Sequence, residues 1–255
     1  MTQHATEWPK VLWLVRHGES AGNVARDAAY ATGVARIEIA QRDMDVPLSS
    51  KGQEQSCALA EWFANLDPEQ RPEAILVSPY RRAIATAEVI RDRCSESQPI
   101  PLVIDERLRE KEFGALDRLT QLGIAQLFPE QAELRKHVGK FYYRPPGGES
   151  WCDVILRLRS ALHTLNLHYS GRRILVVSHQ VVVLCFRYLL ENLTEAGLLA
   201  IDALGDVTNC SITDYACSSA ERANALTLRR YNWVAPLQAA GASITAKPDP
   251  NATIR

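Results

Sequence analysis

The chain has 255 residues, enough for one large α/β domain or two small ones, and it is 46% hydrophobic and 23% charged, like ordinary globular proteins. Its 29 Lys and Arg residues nearly balance 30 Asp and Glu residues, which argues against nucleic acid or a membrane surface as a partner. The six cysteines show no CxxC spacing, and no targeting or membrane-spanning segment is visible, so we expect reduced thiols and a cytoplasmic location.

Along the chain, short apolar runs alternate with helical patterns. Three runs predict buried parallel strands and a fourth is a further candidate, in the order residues 11–15, 74–77, 101–104 (the candidate) and 174–177. Apolar residues at helical spacing follow most of these runs, at residues 52–65, 82–93, 152–169 and 181–192. The alternation predicts an α/β fold in which helices flank a mixed, mostly parallel central sheet.

Near the carboxyl terminus the pattern changes from helical to alternating. Residues 210–217 and 225–231 alternate between apolar and polar side chains, which predicts an antiparallel hairpin added to the sheet. Residues 236–255 are rich in Ala, Pro, Ser and Thr and have no periodicity. We therefore expect a single domain over residues 1–235, followed by a flexible tail.

Two segments, residues 24–46 and 118–148, fit neither a strand nor a simple helix and are long for connections in a compact domain. Such length is typical of lids and binding loops. The second segment carries a basic and aromatic cluster made of Arg135-Lys136-His137 and residues 140–144. This cluster would either gather a polyphosphorylated substrate above a pocket or form an exposed helix face, and the sequence leaves both readings open.

Basic residues follow three of the predicted strands. Arg16 and His17 come after the first strand, Arg81 and Arg82 after the second, and His179 after the run at 174–177. Ligands of open α/β sheets bind at the carboxyl ends of the strands, so these side chains predict an anion pocket there. Guanidinium groups match phosphate oxygens bidentately, and an imidazole can attack phosphorus as a nucleophile.

Several short motifs stand in a fixed order between Val11 and Tyr215. They are Arg16-His17-Gly18-Glu19-Ser20 with Asn23; Asp45-Val46-Pro47-Leu48-Ser49 with Gly52 and Gln55; Ser78-Pro79-Tyr80-Arg81-Arg82-Ala83 with Thr86-Ala87-Glu88; Leu108-Arg109-Glu110 with Phe113-Gly114; Gly148-Glu149-Ser150; and Ser178-His179. This series resembles the histidine phosphatase superfamily, in its phosphoglycerate mutase-like branch. The resemblance implies a three-layer α/β/α fold, and its register makes Arg82 rather than Arg81 the pocket arginine.

The resemblance also implies a mechanism and a set of roles. His17 would be the nucleophile of a phosphomonoester hydrolase and would become transiently phosphorylated. Glu110 would be the proton donor, and Arg16, Arg82 and His179 would bind the phosphoryl group. No metal ion and no cofactor would be needed.

Further substrate contacts are implied for Asn23 and Ser20, and the carbonyl of Gly18 would orient the His17 ring. Gln180 is a third candidate contact, because many members have glycine there and the fructose-2,6-bisphosphatase branch has glutamine. The substrate would be a phosphorylated small molecule. Its identity and the oligomeric state, a homodimer included, are left open by the sequence.

Alternatives exist for one residue and for the activity. Glu110 lies in a charge-dense stretch, so Glu106, Glu112 and Glu19 are substitute acids. A phosphoglycerate mutase would use the same phosphohistidine intermediate. Cofactor-dependent mutases of the family carry a long insert between the acid/base glutamate and the Gly-Glu-Ser block, whereas only residues 111–147 lie there in this chain, which favours the phosphatase. A non-catalytic phospho-ligand-binding module would lack the nucleophile or the acid, and both are present.

Overall fold

The computed structural model describes residues 8–95, 99–217 and 225–245. Six strands in these residues form one sheet in the order β3-β2-β4-β1-β5-β6. The strands are β1 (Val11–Arg16), β2 (Ala74–Val77), β3 (Leu102–Ile104), β4 (Arg173–Ser178), β5 (Ile212–Cys217) and β6 (Leu226–Trp233). Neighbours from β3 to β1 are parallel, whereas β5 runs antiparallel to β1 and β6. The predicted mixed, mostly parallel sheet and its terminal hairpin are therefore confirmed.

Nine α-helices lie in the same described residues. They are α1 (Ala21–Thr32), α2 (Ser50–Ala64), α3 (Arg81–Cys94), α4 (Gln121–Leu127), α5 (Pro129–Val138), α6 (Trp151–His168), α7 (Gln180–Leu190), α8 (Glu195–Asp202) and α9 (Ala235–Ala239). Side-chain caps fix several starts: Ser49 accepts the amide proton of Gly52 before α2, and Ser150 that of Asp153 before α6. The four helices predicted from periodicity (α2, α3, α6, α7) are all present.

The central sheet has an apolar core on each face, because successive strand residues point to opposite sides. In β1, Leu12 and Leu14 pack on one face with residues of α6, α7 and α8. Trp13 and Val15 pack on the other face with residues of α2, α3 and α9. This arrangement is the three-layer α/β/α architecture that the family resemblance implies.

The two long segments contain more helix than we predict from their sequence. Residues 24–46 include most of α1, which begins at a capping box of Ser20 and Asn23 and ends at Gly33 with a φ of 66°. Residues 118–148 contain α4 and α5. The clearest sequence signals for these helices are at their ends: the capping box before α1, Thr120 before α4, and Pro129 at the start of α5.

The two segments also contact each other across the carboxyl edge of the sheet. Arg118 donates from Nη1 to the carbonyl oxygen of Ile39 at 3.0 Å and from Nη2 to that of Gln41 at 2.9 Å. An isolated bridge joins Arg36 to Leu119. Together the segments form a wall above the strand ends.

Residues 236–245 belong to the segment that the sequence predicts to be a flexible tail, and in the structure they pack against the domain, while residues 246–255 lie outside the described residues. Leu237 in α9 is completely buried in the core beside α2. Gln55 donates from Nε2 to the carbonyl oxygen of Ser243 at 2.8 Å. Thr245 donates to Oδ1 of Asn209 at 2.9 Å, and Asn209 donates from Nδ2 to the carbonyl oxygen of His17 at 2.8 Å. Apolar burial and these hydrogen bonds hold a segment whose composition suggests disorder.

Candidate active site

Three adjacent strand ends bring the predicted basic residues together. Arg16 is the last residue of β1 and pairs with Ser178 at the end of β4, and the amide of His17 donates to the carbonyl oxygen of Ser178 at 2.9 Å. His179 follows β4 directly, and the ring centroids of His17 and His179 lie 5.0 Å apart. Arg82 stands in the first turn of α3, which follows β2.

His17 is buried and held in one orientation. Its Nδ1–H donates to the carbonyl oxygen of Gly18 at 2.7 Å, so Nε2 carries the lone pair. Nε2 accepts a hydrogen bond from Nε of Arg82 at 3.1 Å. Burial first, and then the charges of Arg82 and Arg16, lower the pKa of His17 well below its usual 6.5. The ring is therefore neutral and its Nε2 is unprotonated near neutral pH.

His179 is completely buried and has one ring nitrogen without a partner. Nε2 lies 2.7 Å from Oγ of Ser78, which already accepts from the amide of Tyr80, so the Ser78 proton can be given to Nε2. That arrangement leaves the ring proton on Nδ1, which has no hydrogen-bond partner among the described residues. Nε of Arg16 is likewise a buried donor without a hydrogen-bond partner among the described residues. Buried polar atoms are rarely unpaired, and an oxyanion ligand would satisfy such donors.

Arg82 is buried while Arg81 is exposed, as the motif register predicts. The guanidinium of Arg82 is engaged by Asp43 in residues 24–46. Nη1 donates to the carbonyl oxygen of Asp43 at 2.6 Å and to its Oδ1 at 2.9 Å, and Nη2 donates to Oδ2 at 3.2 Å. A carboxylate therefore occupies the fork that a phosphoryl group would use.

Asp206 connects three polar residues of the site. Its Oδ2 accepts from Nη2 of Arg26 at 3.1 Å and lies 3.6 Å from Nη1 of Arg16, which itself donates to the carbonyl oxygen of Val207. Its Oδ1 accepts from Nε2 of Gln180 at 3.1 Å. Gln180 thus fixes the carboxylate that orients Arg16, in addition to lining the cavity.

Ser20 and Asn23 line the cavity, but most of their polar atoms form the hydrogen bonds that cap the start of α1. Oγ of Ser20 accepts from the amide of Asn23 at 3.2 Å. Oδ1 of Asn23 accepts from both the amide and the hydroxyl of Ser20 at 3.0 Å. Within the described residues, Nδ2 of Asn23 is the atom of this pair left for a ligand.

Glu110 is the candidate acid that lines the cavity with His17 and Arg82. Its Oε1 accepts from the amide of Lys111 at 2.8 Å. Burial raises the pKa of Glu110, against the opposing effects of the Lys111 amide and of Arg82. A carboxyl group whose proton is retained to higher pH suits a proton donor.

The substitute acids lie elsewhere. Glu19 accepts from the hydroxyl of Ser49 at 2.8 Å and pairs with Lys51, and Glu112 accepts from the hydroxyl of Tyr80 at 2.8 Å. Glu106 is exposed. All three are absent from the cavity wall.

The cavity above these groups has a volume of about 290 Å³, which fits a small phosphorylated molecule. Its outer wall comes from the two long segments, with apolar side chains from Ile37, Ile39 and Leu119, and from Leu116 just before the second segment. The sequence leaves open whether the basic cluster of residues 135–137 and 140–144 faces the pocket or forms an exposed helix face, and the structure shows some of its residues in each position. Arg135 and Lys140 line the cavity, whereas Lys136 and His137 are exposed on α5.

Two features are absent from the described residues, a metal-binding cluster and a membrane-spanning helix. No group of three or more His, Cys, Asp and Glu side chains is placed to hold a metal ion. No helix in that part of the chain is long and apolar enough to cross a bilayer.

Comparison with known families gives the same answer as the geometry. The model of the histidine phosphatase superfamily (branch 1) matches residues 12–227. The chain belongs to the histidine phosphatase superfamily. A phosphoglycerate mutase-like protein of Arabidopsis thaliana is 29% identical over 221 residues, which cover 79% of this chain and 72% of the relative. The superfamily expected from the motifs is thereby confirmed.

Two further proteins similar to this chain carry the names of phosphatases. The 6-phosphofructo-2-kinase/fructose-2,6-bisphosphatase of Gallus gallus is 30% identical over 196 residues, covering 76% of this chain and 35% of that longer protein. This chain therefore spans about a third of the length of that relative. The solved structure of mycobacterial glucosyl-3-phosphoglycerate phosphatase is 26% identical with a TM-score of 0.67, covering 88% of this chain and 99% of that one.

Some residues of this histidine phosphatase site lie outside the motifs and were missed by sequence reasoning. Asp43 sits two residues before the motif residue Asp45, and Asp206 and Arg26 lie in segments without periodicity. Asp206 lies in the irregular stretch between α8 and β5, three residues before Asn209, and no signal in the sequence marks it as buried.

Proposed function

We propose that this protein is a phosphomonoester hydrolase that works through a phosphohistidine on His17 and needs no metal ion. The observation that carries the proposal is that the rings of His17 and His179 lie with their centroids 5.0 Å apart. The buried Arg16 and Arg82 stand beside them, at a cavity that Glu110 also lines. The names of the relatives, which include phosphatases, support the same class of reaction. The substrate is a phosphorylated small molecule.

In the first step, Nε2 of His17 attacks phosphorus along the line of the ester bond. The N–P bond forms, the P–O bond breaks, and the leaving alkoxide oxygen takes the proton of Glu110. The guanidinium groups of Arg16 and Arg82 and the Nδ1–H of His179 compensate the charge on the phosphoryl oxygens. The Gly18 carbonyl stabilises the positive charge that the His17 ring gains, because it accepts from Nδ1–H at 2.7 Å.

In the second step, water attacks the phosphohistidine. The ionised carboxylate of Glu110 takes a proton from the water, a new P–O bond forms, and the N–P electron pair returns to Nε2 of His17. Inorganic phosphate then leaves and the enzyme is restored with Glu110 protonated. The raised pKa of Glu110 suits it to both roles, since the carboxyl must give and regain a proton near working pH.

We rank hydrolysis above mutase activity. The segment between Glu110 and the Gly148-Glu149-Ser150 block is short in the sequence, and in the structure it forms two short helices and a cavity wall. Turnover of 3-phosphoglycerate in the presence of bisphosphoglycerate tests the ranking. Interconversion faster than phosphate release would favour the mutase.

The decisive experiment is to trap the intermediate. The protein is mixed with p-nitrophenyl phosphate and EDTA, quenched in alkali, which preserves phosphohistidine, and digested for mass spectrometry. We expect steady phosphate release with EDTA present and one phosphoryl group on the peptide that contains His17. His17→Ala should lose both signals while its circular dichroism spectrum is unchanged. Turnover retained in that variant, or phosphate release abolished by EDTA, contradicts the mechanism.

A further inference from the structure

A buried lysine in the cavity wall has no anionic partner. Lys111 is 8% exposed, lines the cavity with His17 and Glu110, and rests its ammonium 4.4 Å from the centroid of the Phe113 ring. No carboxylate forms a salt bridge with it among the described residues. Burying an unpaired ammonium group costs free energy, so such groups normally have a partner in the folded protein or in its ligand.

A second unpaired cation lines the same cavity. Arg135, in the last turn of α5, is partly buried and makes no side-chain ion pair within the described residues. Lys111 and Arg135 line the same cavity of about 290 Å³. Burial lowers the pKa of Lys111 most, the charges of Glu110 and Glu149 raise it, and repulsion from Arg135 lowers it further. Two cations that line one cavity and have no salt bridge among the described residues are suited to bind an anion.

The other outer cations of the cavity are already neutralised or bonded. Arg26 pairs with Asp206, Lys140 pairs with Asp202, and Arg118 donates to two carbonyl oxygens of the wall. The surplus positive charge is therefore local. It also lies outside the cluster of Arg16, Arg82 and His179 that holds the transferred phosphoryl group in the proposed mechanism.

We propose that Lys111 and Arg135 form a second anion site, and that the substrate is a phosphomonoester whose alcohol portion carries a further carboxylate or phosphate. This inference rests on the proposed function, because the first anion of such a substrate is the phosphoryl group beside His17. The second anion pairs with Lys111 and Arg135 and thereby aligns the ester bond between His17 and Glu110.

Phosphonates test the second site apart from catalysis, since their P–C bond is not hydrolysed. Binding of benzylphosphonate, its para-carboxy derivative and its para-phosphonomethyl derivative is measured by titration calorimetry at pH 7. We expect the two derivatives to bind roughly tenfold more tightly than benzylphosphonate, the gain typical of a charge-assisted contact. The better of the two derivatives tells whether a carboxylate or a second phosphate is the natural group.

Two substitutions and a matched control locate the site. Lys111→Met keeps the buried stem, and Arg135→Gln alters a partly exposed side chain, so both variants are compatible with the fold. Each should reduce the preference for the derivatives to less than about threefold and leave benzylphosphonate binding within about twofold. Lys136→Gln removes the same charge from an exposed neighbour that is absent from the cavity wall and should keep the full preference.

The outcomes separate the two proposals. A wild-type preference of one or less, or a preference that neither cavity variant reduces, overturns the second anion site whether or not the protein hydrolyses benzyl phosphate. Tight binding of the derivatives without any hydrolysis of benzyl phosphate would leave the site standing and remove the hydrolase proposal. Loss of the preference in Lys136→Gln would indicate a diffuse surface effect and would also overturn the site.

Discussion

Arg82 and Asp43 form a forked ion pair inside the candidate active site, with Nη1 and Nη2 of the arginine at 2.9 and 3.2 Å from the two carboxylate oxygens. Nε of the same guanidinium reaches His17 at 3.1 Å. A phosphoryl group that uses Arg82 must therefore replace a carboxylate that is already bound. Asp43 belongs to the wall above the strand ends, so the contact also links that wall to the nucleophile.

The first prediction concerns this competition. Asp43→Asn removes the negative charge from the fork and should tighten binding of inorganic phosphate about three- to tenfold, because Arg82 no longer gives up a charged partner. The inhibition constant of phosphate against p-nitrophenyl phosphate measures the effect. Asp45→Asn, two residues away and paired with Arg42 at the surface, is the matched control and should change little. Weaker phosphate binding in Asp43→Asn would show that Asp43 supports the site instead of competing for it.

The second prediction concerns pH. Since burial holds the pKa of His17 well below 6.5, the imidazole stays unprotonated at pH 6.5, where a free imidazole is half protonated, and kcat/KM should not fall through His17 as pH is lowered from 7 to 6.5. Burial raises the pKa of Glu110, so its protonated form persists to higher pH and activity should decline as pH rises through that pKa. The pH profile of kcat/KM, corrected for ionisation of the phosphate ester, measures both. A steep loss of activity below pH 7 would contradict the neutral nucleophile.

The third prediction assigns the proton donor. Glu110→Gln cannot protonate the leaving oxygen, so kcat/KM should fall by about a hundredfold or more for alkyl phosphates and far less for p-nitrophenyl phosphate. A series of esters with rising leaving-group pKa measures the change of slope. Glu112→Gln, which alters the partner of Tyr80 outside the cavity wall, should keep the wild-type slope. An equal loss across the series would remove Glu110 as the acid.

The fourth prediction concerns stability. Burial lowers the pKa of Lys111 from 10.5 to about 8, so the folded protein binds fewer protons than the unfolded chain between these values. Below that window the protonated lysine destabilises the fold, and the contribution recovers as pH rises from about 8 to 10.5. Lys111→Met should therefore be more stable than wild type at pH 7, by on the order of 1–3 kcal/mol, and the difference should shrink by pH 10. Urea unfolding at both pH values tests this; a less stable variant at pH 7 contradicts it.

The strand-end residues could be predicted because their positions depend on strong local signals. Arg16, His17 and His179 each follow an uninterrupted apolar run, and parallel pairing of those runs is enough to bring them to one edge. Arg82 needed the family register as well, since Arg81 stands beside it with the same chemistry and only packing of α3 decides which one is buried.

The rest depended on contacts between distant segments with weak patterns. Asp43 meets Arg82 only through the path of the chain after α1, and the sequence there has no period that fixes this path. Gln180 was expected to touch substrate, and its bond to Asp206 could not be foreseen because Asp206 lies between α8 and β5 in an irregular stretch. The packed residues 236–245 show the same limit, since their composition alone suggests disorder while Leu237 completes a core formed by α2.

The hydrogen bonds from Thr245 to Asn209 and from Asn209 to the His17 backbone reach from the end of the described chain to the nucleophile. Digestion from the carboxyl terminus by an exopeptidase should therefore impair catalysis once it removes Thr245, before any residue of the cavity is lost. A homologue that ends earlier would need another donor to fix Asn209. Residues 243–245 thus support the backbone of the candidate nucleophile His17, although none of them lines the cavity.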